Sequence, residues 1–379
     1  MKKDSILNIP LTRPYFDSDE LIEIGNILDS GFVSQGPKVI EFENKFAEYT
    51  GSKYAIAVTN CTCALHLSLL AIGVGAGDEV LVADFTHPAT GHSVLYCGAT
   101  PIFIDVDKRT YNIDADLLEG KITEKTKAII PVHTFGQSAD MDPIIEIAKD
   151  HDLSVIEDAA CAHGAKYKGR FSGTIGATGC FSFHARKGMT TGEGGMVVTD
   201  DGKLAEEIRS LSTYGTTTSW SEEGEEELTI TKFTKIGYNY KMSDISAAVG
   251  VAQLRKLDTL VEKRICLAKY WDEKISKLEY IESPYCSEDT KHVYQSYVCL
   301  VDKKINRDKL IVLTRRMGVQ TQIGTYACHI QPVYDLKEKC PNSYDIYNRS
   351  ISLPMYFKQS EEVIDDAVKV LKKAIGALI

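Results

Sequence analysis

The sequence predicts an α/β fold: a mainly parallel central sheet with helices on both faces. Two observations lead there. Between about residues 54 and 200, short apolar, β-branched runs recur at Tyr54–Val58, Glu79–Ala83, Pro101–Val106, Ala128–Val132, Ser154–Glu157, Gly179–Phe183 and Gly195–Thr199. Helical patterns separate most of them, as at Ala64–Ile72, Asp114–Ile122 and Met141–Asp150. Continuous apolar runs of this length suit strands buried on both faces. Alternation of strand and helix makes the connections crossovers, and the sheet parallel. Sheets of this kind bind ligands beyond the carboxyl ends of their strands.

The rest of the chain predicts a second, smaller unit. Past Ala248 a long helical pattern runs through Leu254, Leu257, Leu260 and Val261 to Ile275, and shorter strands and helices follow to Ile379. With 379 residues, the chain exceeds the size at which one core stops growing. We expect a large domain over 1–250, including an N-terminal arm, and a small α+β domain over 251–379. Hydrophobic content of 44% and charged content of 25% are ordinary globular values and exclude disordered and fibrous classes. The net charge of −10 argues against nucleic acid as a partner, since phosphate binding needs clustered Lys and Arg. The ten cysteines show no C-x-x-C spacing, so they read as thiols of a reducing compartment rather than as a metal hook. Met1–Pro10 lacks an apolar h-region, and no apolar run approaches a membrane span, so a cytoplasmic protein is expected. The acidic stretch Ser221–Glu227 reads as a solvated loop, with a metal site the lesser alternative; no metal is expected.

Three segments carry chemistry. Ser154–Ala160 places Asp158 where a strand ends among small residues; alone, such an acid is more often an ordinary turn or helix cap. Cys180–Lys187 ends a strand near Phe183 and puts Lys187 in the following loop; alone, it is a surface lysine. Thr190–Gly195 then carries two adjacent glycines before a strand, which marks a close approach of backbone or a simple loop. In Val58–Leu65, Asn60 can cap a helix whose first N–H groups, at Thr62 and Cys63, would face an anion; the plain reading is a strand–helix junction. Together they match the needs of pyridoxal phosphate: an amine for the Schiff base, a carboxylate at the pyridine nitrogen, and donors for the phosphate.

At this point the chain resembles a known family. The ordered motifs G-F-V-S-Q-G-P (31–37), N-C-T-C-A-L (60–65), E-D-A-A (157–160), S-F-H-A-R-K (182–187), T-G-E-G-G (191–195) and G-Y-N-Y-K-M-S-D (237–244) look like the DegT/DnrJ/StrS-type sugar aminotransferases. These are fold-type-I pyridoxal-phosphate enzymes, and the likeness is nearest to the perosamine-synthase-like branch. The resemblance implies Lys187 as the Schiff-base lysine, Asp158 as the pyridinium partner and Ser182 as a phosphate-binding hydroxyl. It implies Thr62 and Cys63 at the phosphate-binding helix start, and Asn239 reaching the phosphate of the neighbouring subunit's cofactor in a homodimer with shared sites. His87 stands where the family has a ring stacked on the pyridine, with Phe85 a possible substitute, and Cys161 where a glutamine or other polar residue contacts the cofactor. Both are departures. Gln322–Gln331 resembles a substrate-closing segment, so Tyr326 and His329 become candidate nucleotide-sugar contacts, with a structural loop the alternative.

The reaction implied is ping-pong transfer of an amino group from glutamate to a nucleotide-linked keto-deoxy sugar, a 4-keto-6-deoxyhexose in the branch resembled. A lysine rather than a histidine at 187 keeps transamination open. The competing readings are a sugar dehydratase or lyase of the same fold, and a non-catalytic cofactor-binding sensor.

Overall fold

The computed structural model describes residues 8–216, 230–334 and 339–379. The acidic stretch at 221–227 lies outside them.

All seven expected strands form, within two residues of the expected bounds, and they build one sheet. They are β1 (Tyr54–Val58), β2 (Glu79–Ala83), β3 (Thr100–Ile104), β4 (Thr126–Ile130), β5 (Ser154–Asp158), β6 (Thr178–Ser182) and β7 (Gly195–Thr199), in the spatial order β1-β7-β6-β5-β4-β2-β3. The neighbours from β6 to β3 pair in parallel; β7 is antiparallel to both β1 and β6. Because side chains alternate along a strand, each strand serves two cores. Ile56 and Val58 join Val80, Val82, Ile130 and Val197 on one face, under helices α3 (Cys61–Ala71) and α6 (Gly202–Ser212). Ala55, Ala57, Phe181 and Val198 face the other way, onto α2 (Pro37–Thr50) and α7 (Asp244–Arg255). At the other end of that second face, Leu81, Ile104, Ile129 and Val155 meet α5 (Met141–Asp150).

Two helical expectations change. Asp114–Ile122 is not an α-helix but two short 3₁₀ turns, Ala115–Leu117 and Glu119–Lys121. Only Leu118 is fully buried there, Leu117 is exposed, and one anchor makes no amphipathic stripe. The long pattern through Ile275 breaks at Lys256 into α7 and α8 (Leu257–Ile275). The ammonium of Lys256 is held by Asp17 at 2.7 Å and Glu20 at 3.0 Å, at the start of α1 (Ser18–Ser30).

A second, four-stranded antiparallel sheet runs Ile281–Glu282, Tyr297–Val301, Ser350–Leu353, Gln322–Ile323 in spatial order. Trp271 and Leu267 of α8 pack on it with Ile364 and Leu371 of the C-terminal helix Glu361–Gly376. The N-terminal arm joins this second core: Ile9 is buried in it and bridges to Val319. Helix α8 spans both units, since Leu257 and Val261 pack in the first. The outermost motifs meet in the first unit as well. Asp244 accepts from the N–H groups of Gly36 (2.8 Å), Lys38 (3.1 Å) and Val39 (3.0 Å), so an acid 208 residues away caps α2. Among the described residues, no helix is long and apolar enough to cross a membrane.

Candidate active site

β5 and β6 are parallel neighbours, so both end at the same edge of the sheet. Asp158 is the last residue of β5 and Ser182 the last of β6. The antiparallel β7 begins there, Gly195 lying opposite both Ser182 and Val58. A Cβ on Gly195 would stand 2.4 Å from the carbonyl carbon of Asn60 and one on Gly194 2.3 Å from Thr191 Oγ1. The close backbone approach read from T-G-E-G-G is therefore present, and it presses β7 against the start of α3.

Around this edge lies a cavity of about 360 Å³, lined by Thr62, His87, Asp158, Cys161, Ser182 and Lys187 among others. That volume falls in the range of small-molecule sites. Asp158 is buried. Its Oδ2 accepts from Thr90 Oγ1 at 2.8 Å and its Oδ1 from the Ala160 N–H at 3.1 Å. Thr90 lies on α4 (Pro88–Tyr96), and its hydroxyl is 2.9 Å from that of Thr86. The neighbouring acid points the other way, as strand alternation requires. Glu157 accepts from the N–H groups of Gly173 (2.7 Å), Ile175 (2.6 Å) and Gly176 (2.6 Å), and lies 2.9 Å from His133 Nε2. His133 Nδ1 already accepts from the Ala139 N–H, so Nε2 carries the proton. One acid of E-D is thus consumed by the fold, and the other faces the cavity.

Lys187 Nζ donates to Cys161 Sγ at 3.2 Å. Burial pulls the lysine's pKa down, but Cys161, Asp158 and Cys61 outweigh it, and the amine is held above its ordinary value. Burial alone favours a neutral amine; in this state the acidic neighbours win. His87 caps α4, its Nδ1 accepting from the Ala89 N–H at 3.2 Å. Desolvation, with help from the Lys187 ammonium, holds its imidazole below the usual value. Phe85 also lines the cavity, but its ring is fully buried and packs edge-on against Tyr111 and Phe135.

Other expected residues stand elsewhere. The Cys63 N–H is taken by Asn60 Oδ1 at 2.9 Å, and Cys63 does not line the cavity, so of the pair Thr62–Cys63 only Thr62 borders the space where an anion would sit. The Asn60 cap uses the donor that was expected to be free. His329 lies outside too: its Nδ1 is 2.7 Å from Asp84 Oδ2, and its N–H donates to Asp84 Oδ1 at 2.6 Å. That is the structural-loop alternative, with the imidazole satisfied by a buried carboxylate. Tyr326 pairs with Thr86 across a short two-stranded ribbon, and its ring sits edge-on to His87, 6.0 Å between centroids. Asn239 is exposed and accepts from Lys241 Nζ at 2.5 Å, away from this chain's own cavity. Sequence reasoning missed Thr90, which no motif logic singled out, and Gln295, Ser296, Gly324 and Thr325, which come from the second unit and carry no local signal.

The donor set fits pyridoxal phosphate. One cavity holds an amine, a buried carboxylate already oriented by two donors, a strand-end hydroxyl and a capped helix N-terminus. Lys187 and Asp158 both line this one space.

Comparison with known proteins agrees with this geometry. The chain is 38% identical over 377 residues to the spore coat polysaccharide biosynthesis protein SpsC of Bacillus subtilis, covering 97% of each chain. It is 38% identical over 380 residues to the GDP-perosamine synthase of Caulobacter vibrioides, covering 97% of this chain and 98% of that protein. The putative sugar aminotransferase Spr1654 of Streptococcus pneumoniae, solved in its PMP-form, superposes with a TM-score of 0.92 at 28% identity, over 98% of this chain and 100% of that one. Residues 14–372 match the DegT/DnrJ/EryC1/StrS aminotransferase family, and the chain belongs to that family: it is a pyridoxal-phosphate-dependent sugar aminotransferase of fold type I.

Proposed function

We propose that this enzyme moves the amino group of L-glutamate to a nucleotide-linked keto-deoxy sugar, a 4-keto-6-deoxyhexose, in the cytoplasm. The observation that carries the reading is that the Lys187 amine and the Asp158 carboxylate line one cavity at the strand ends. The resemblance to the perosamine-synthase-like branch and the 38% identity to a GDP-perosamine synthase support amination at C4.

When bound, pyridoxal phosphate supplies an aldehyde carbon for capturing amines and a ring that accepts an electron pair. Lys187 would hold it through Nζ. Once displaced by the donor, Nζ would take the proton from the donor's Cα, and in the second half-reaction return one to the sugar carbon. Before either role it must shed the proton that its acidic neighbours favour. Asp158 would keep the ring nitrogen protonated, held in place by Thr90 and the Ala160 N–H. Ser182 and Thr62 would receive the phosphate, with the N-terminal dipole of α3 behind them. His87 and Cys161 would border the ring. Tyr326 would contact the substrate, and Asn239 would serve the neighbouring subunit's site in a homodimer.

The test is a panel of GDP-, UDP- and dTDP-linked 4-keto-6-deoxy and 3-keto-6-deoxy sugars with L-glutamate, scored by mass for replacement of the keto oxygen by an amine. Amination of a 4-keto member supports the proposal. Reaction confined to 3-keto members would overturn the position. Loss of water without nitrogen gain would favour the dehydratase.

A further inference from the structure

A second cavity of about 170 Å³ adjoins the first. The two share His87, Arg186, Gln295, Ser296, Gly324 and Thr325. Arg186 is the one permanently charged residue in that shared wall, and the second cavity has no acidic residue and no lysine in its lining. The main chain of Arg186 is fixed on both sides. Its N–H donates to His184 Nδ1 at 3.2 Å, and its carbonyl accepts from Gln295 Nε2 at 2.6 Å. The Gln295 carbonyl in turn accepts from the buried Arg264 at 3.0 Å. The Arg186 side chain is exposed at the cavity mouth. Arg209, Arg255, Arg170, Arg307 and Arg349 each pair with a carboxylate within 3.2 Å, whereas among the described residues Arg186, like Arg13, Arg109, Arg264, Arg315 and Arg316, does not; of these six, only Arg186 lines the first cavity with Lys187. Among the described residues no ion pair involves Arg186, though acids outnumber bases 53 to 43 in the chain.

We propose that Arg186 receives the α-carboxylate of the amino donor. This rests on the aminotransferase reading and adds the residue that reads the donor. The donor's amine has to reach the position that Lys187 Nζ serves. In an α-amino acid the carboxylate oxygens lie within about 3 to 4 Å of that amine, by bond lengths alone. Arg186 precedes Lys187 directly, lines the same cavity, and presents a planar fork of N–H donors that matches a carboxylate. The diphosphate of a nucleotide sugar is attached at C1, and the whole width of the pyranose separates it from a reacting C4. The group nearest the lysine is therefore the donor's carboxylate.

The experiment uses full-length holoenzyme, comparing wild type with Arg186→Gln and Arg186→Lys, each checked for unchanged circular dichroism and bound cofactor. Affinity for 2-methylglutamate, which keeps both carboxylates but has no α-proton, is read at equilibrium from the cofactor's absorbance. Single-turnover amination by L-glutamate gives the half-saturating donor concentration apart from the maximal rate. Calorimetry with GDP and UDP reports the nucleotide side. Arg186→Gln is expected to weaken 2-methylglutamate and raise the half-saturating glutamate concentration by about 10- to 100-fold, the range for a lost charge-assisted contact. Arg186→Lys is expected to recover part of it, and nucleoside diphosphate affinity to stay within about twofold. Unchanged affinity for 2-methylglutamate in Arg186→Gln, or a loss confined to the diphosphates, overturns the proposal while leaving the aminotransferase reading intact. A wild-type enzyme whose cofactor does not respond to any α-amino acid overturns both.

Discussion

Thr90 Oγ1 donates to Asp158 Oδ2 at 2.8 Å, joining α4 to the end of β5 across 68 residues of chain. The Thr86 hydroxyl lies 2.9 Å from that of Thr90, so the carboxylate sits at the end of a short hydroxyl chain inside the protein. A buried carboxylate with two donors has a set direction, and here it lies in the wall of the cavity that Lys187 also lines.

Removing the charge should therefore cost more than removing its support. Asp158→Asn is expected to weaken pyridoxal phosphate by roughly 10- to 100-fold, and Thr90→Val by about fivefold, the scales of a charged and a neutral hydrogen bond. Absorbance titration of the cofactor-free protein reads both. Equal affinity in wild type and Asp158→Asn would remove this carboxylate from the cofactor site.

Cys161 is among the groups that hold the Lys187 ammonium above its ordinary range against the pull of burial. Cys161→Ala leaves burial less opposed, so the amine's titration should move down in pH. Reductive methylation of the cofactor-free protein at a series of pH values, scored at Lys187 by mass spectrometry, measures the midpoint. An upward shift would contradict this balance of causes.

Gly195 is needed for space. Gly195→Ala drives a methyl to 2.4 Å from the Asn60 carbonyl carbon, and main chain cannot swing aside as a side-chain tip can. We expect destabilisation of about 1–3 kcal/mol or more, read by denaturant midpoint, with weakened cofactor binding because Asn60 opens α3. Gly75→Ala meets no atom within 4 Å and should change stability by less than about 0.5 kcal/mol.

Acid should unfold the protein through two buried histidines. Burial holds His163 and His292 at a pKa of about 3 each, against an unfolded value near 6.5. Below 6.5 the unfolded chain binds protons that the folded chain refuses. The stability present above pH 6.5 is thus lost between 6.5 and about 3, at a limiting slope of roughly 2.7 kcal/mol per pH unit for the two groups. Neither nitrogen of His163 has a hydrogen-bond partner, and its ring lies between Phe181 and Phe183. His163→Phe should halve the slope without loss at pH 7.5, as followed by urea midpoints across that range.

Much of this protein is set down in its sequence. Seven apolar runs are long enough to be strands and too short to be helices, and all seven become one sheet. The paired glycines before β7 signal the tight backbone contact that Gly195 makes with Asn60. Asp158 and Lys187 are legible because one ends a strand and the other follows one, and parallel strands bring their ends to one edge. Sequence spacing does not say which donor a cap will use, and the tertiary structure decided that: Asn60 takes the Cys63 N–H. It also divided Glu157 from Asp158 through the two-residue period of a strand, sent His329 to Asp84, and brought Gln295 and Thr325 from the second unit into the cavity wall. Each of those outcomes depends on which groups come within about 3 Å of one another. Local sequence fixes the conformation of a segment, but distances between segments hundreds of residues apart exist only once the cores have packed.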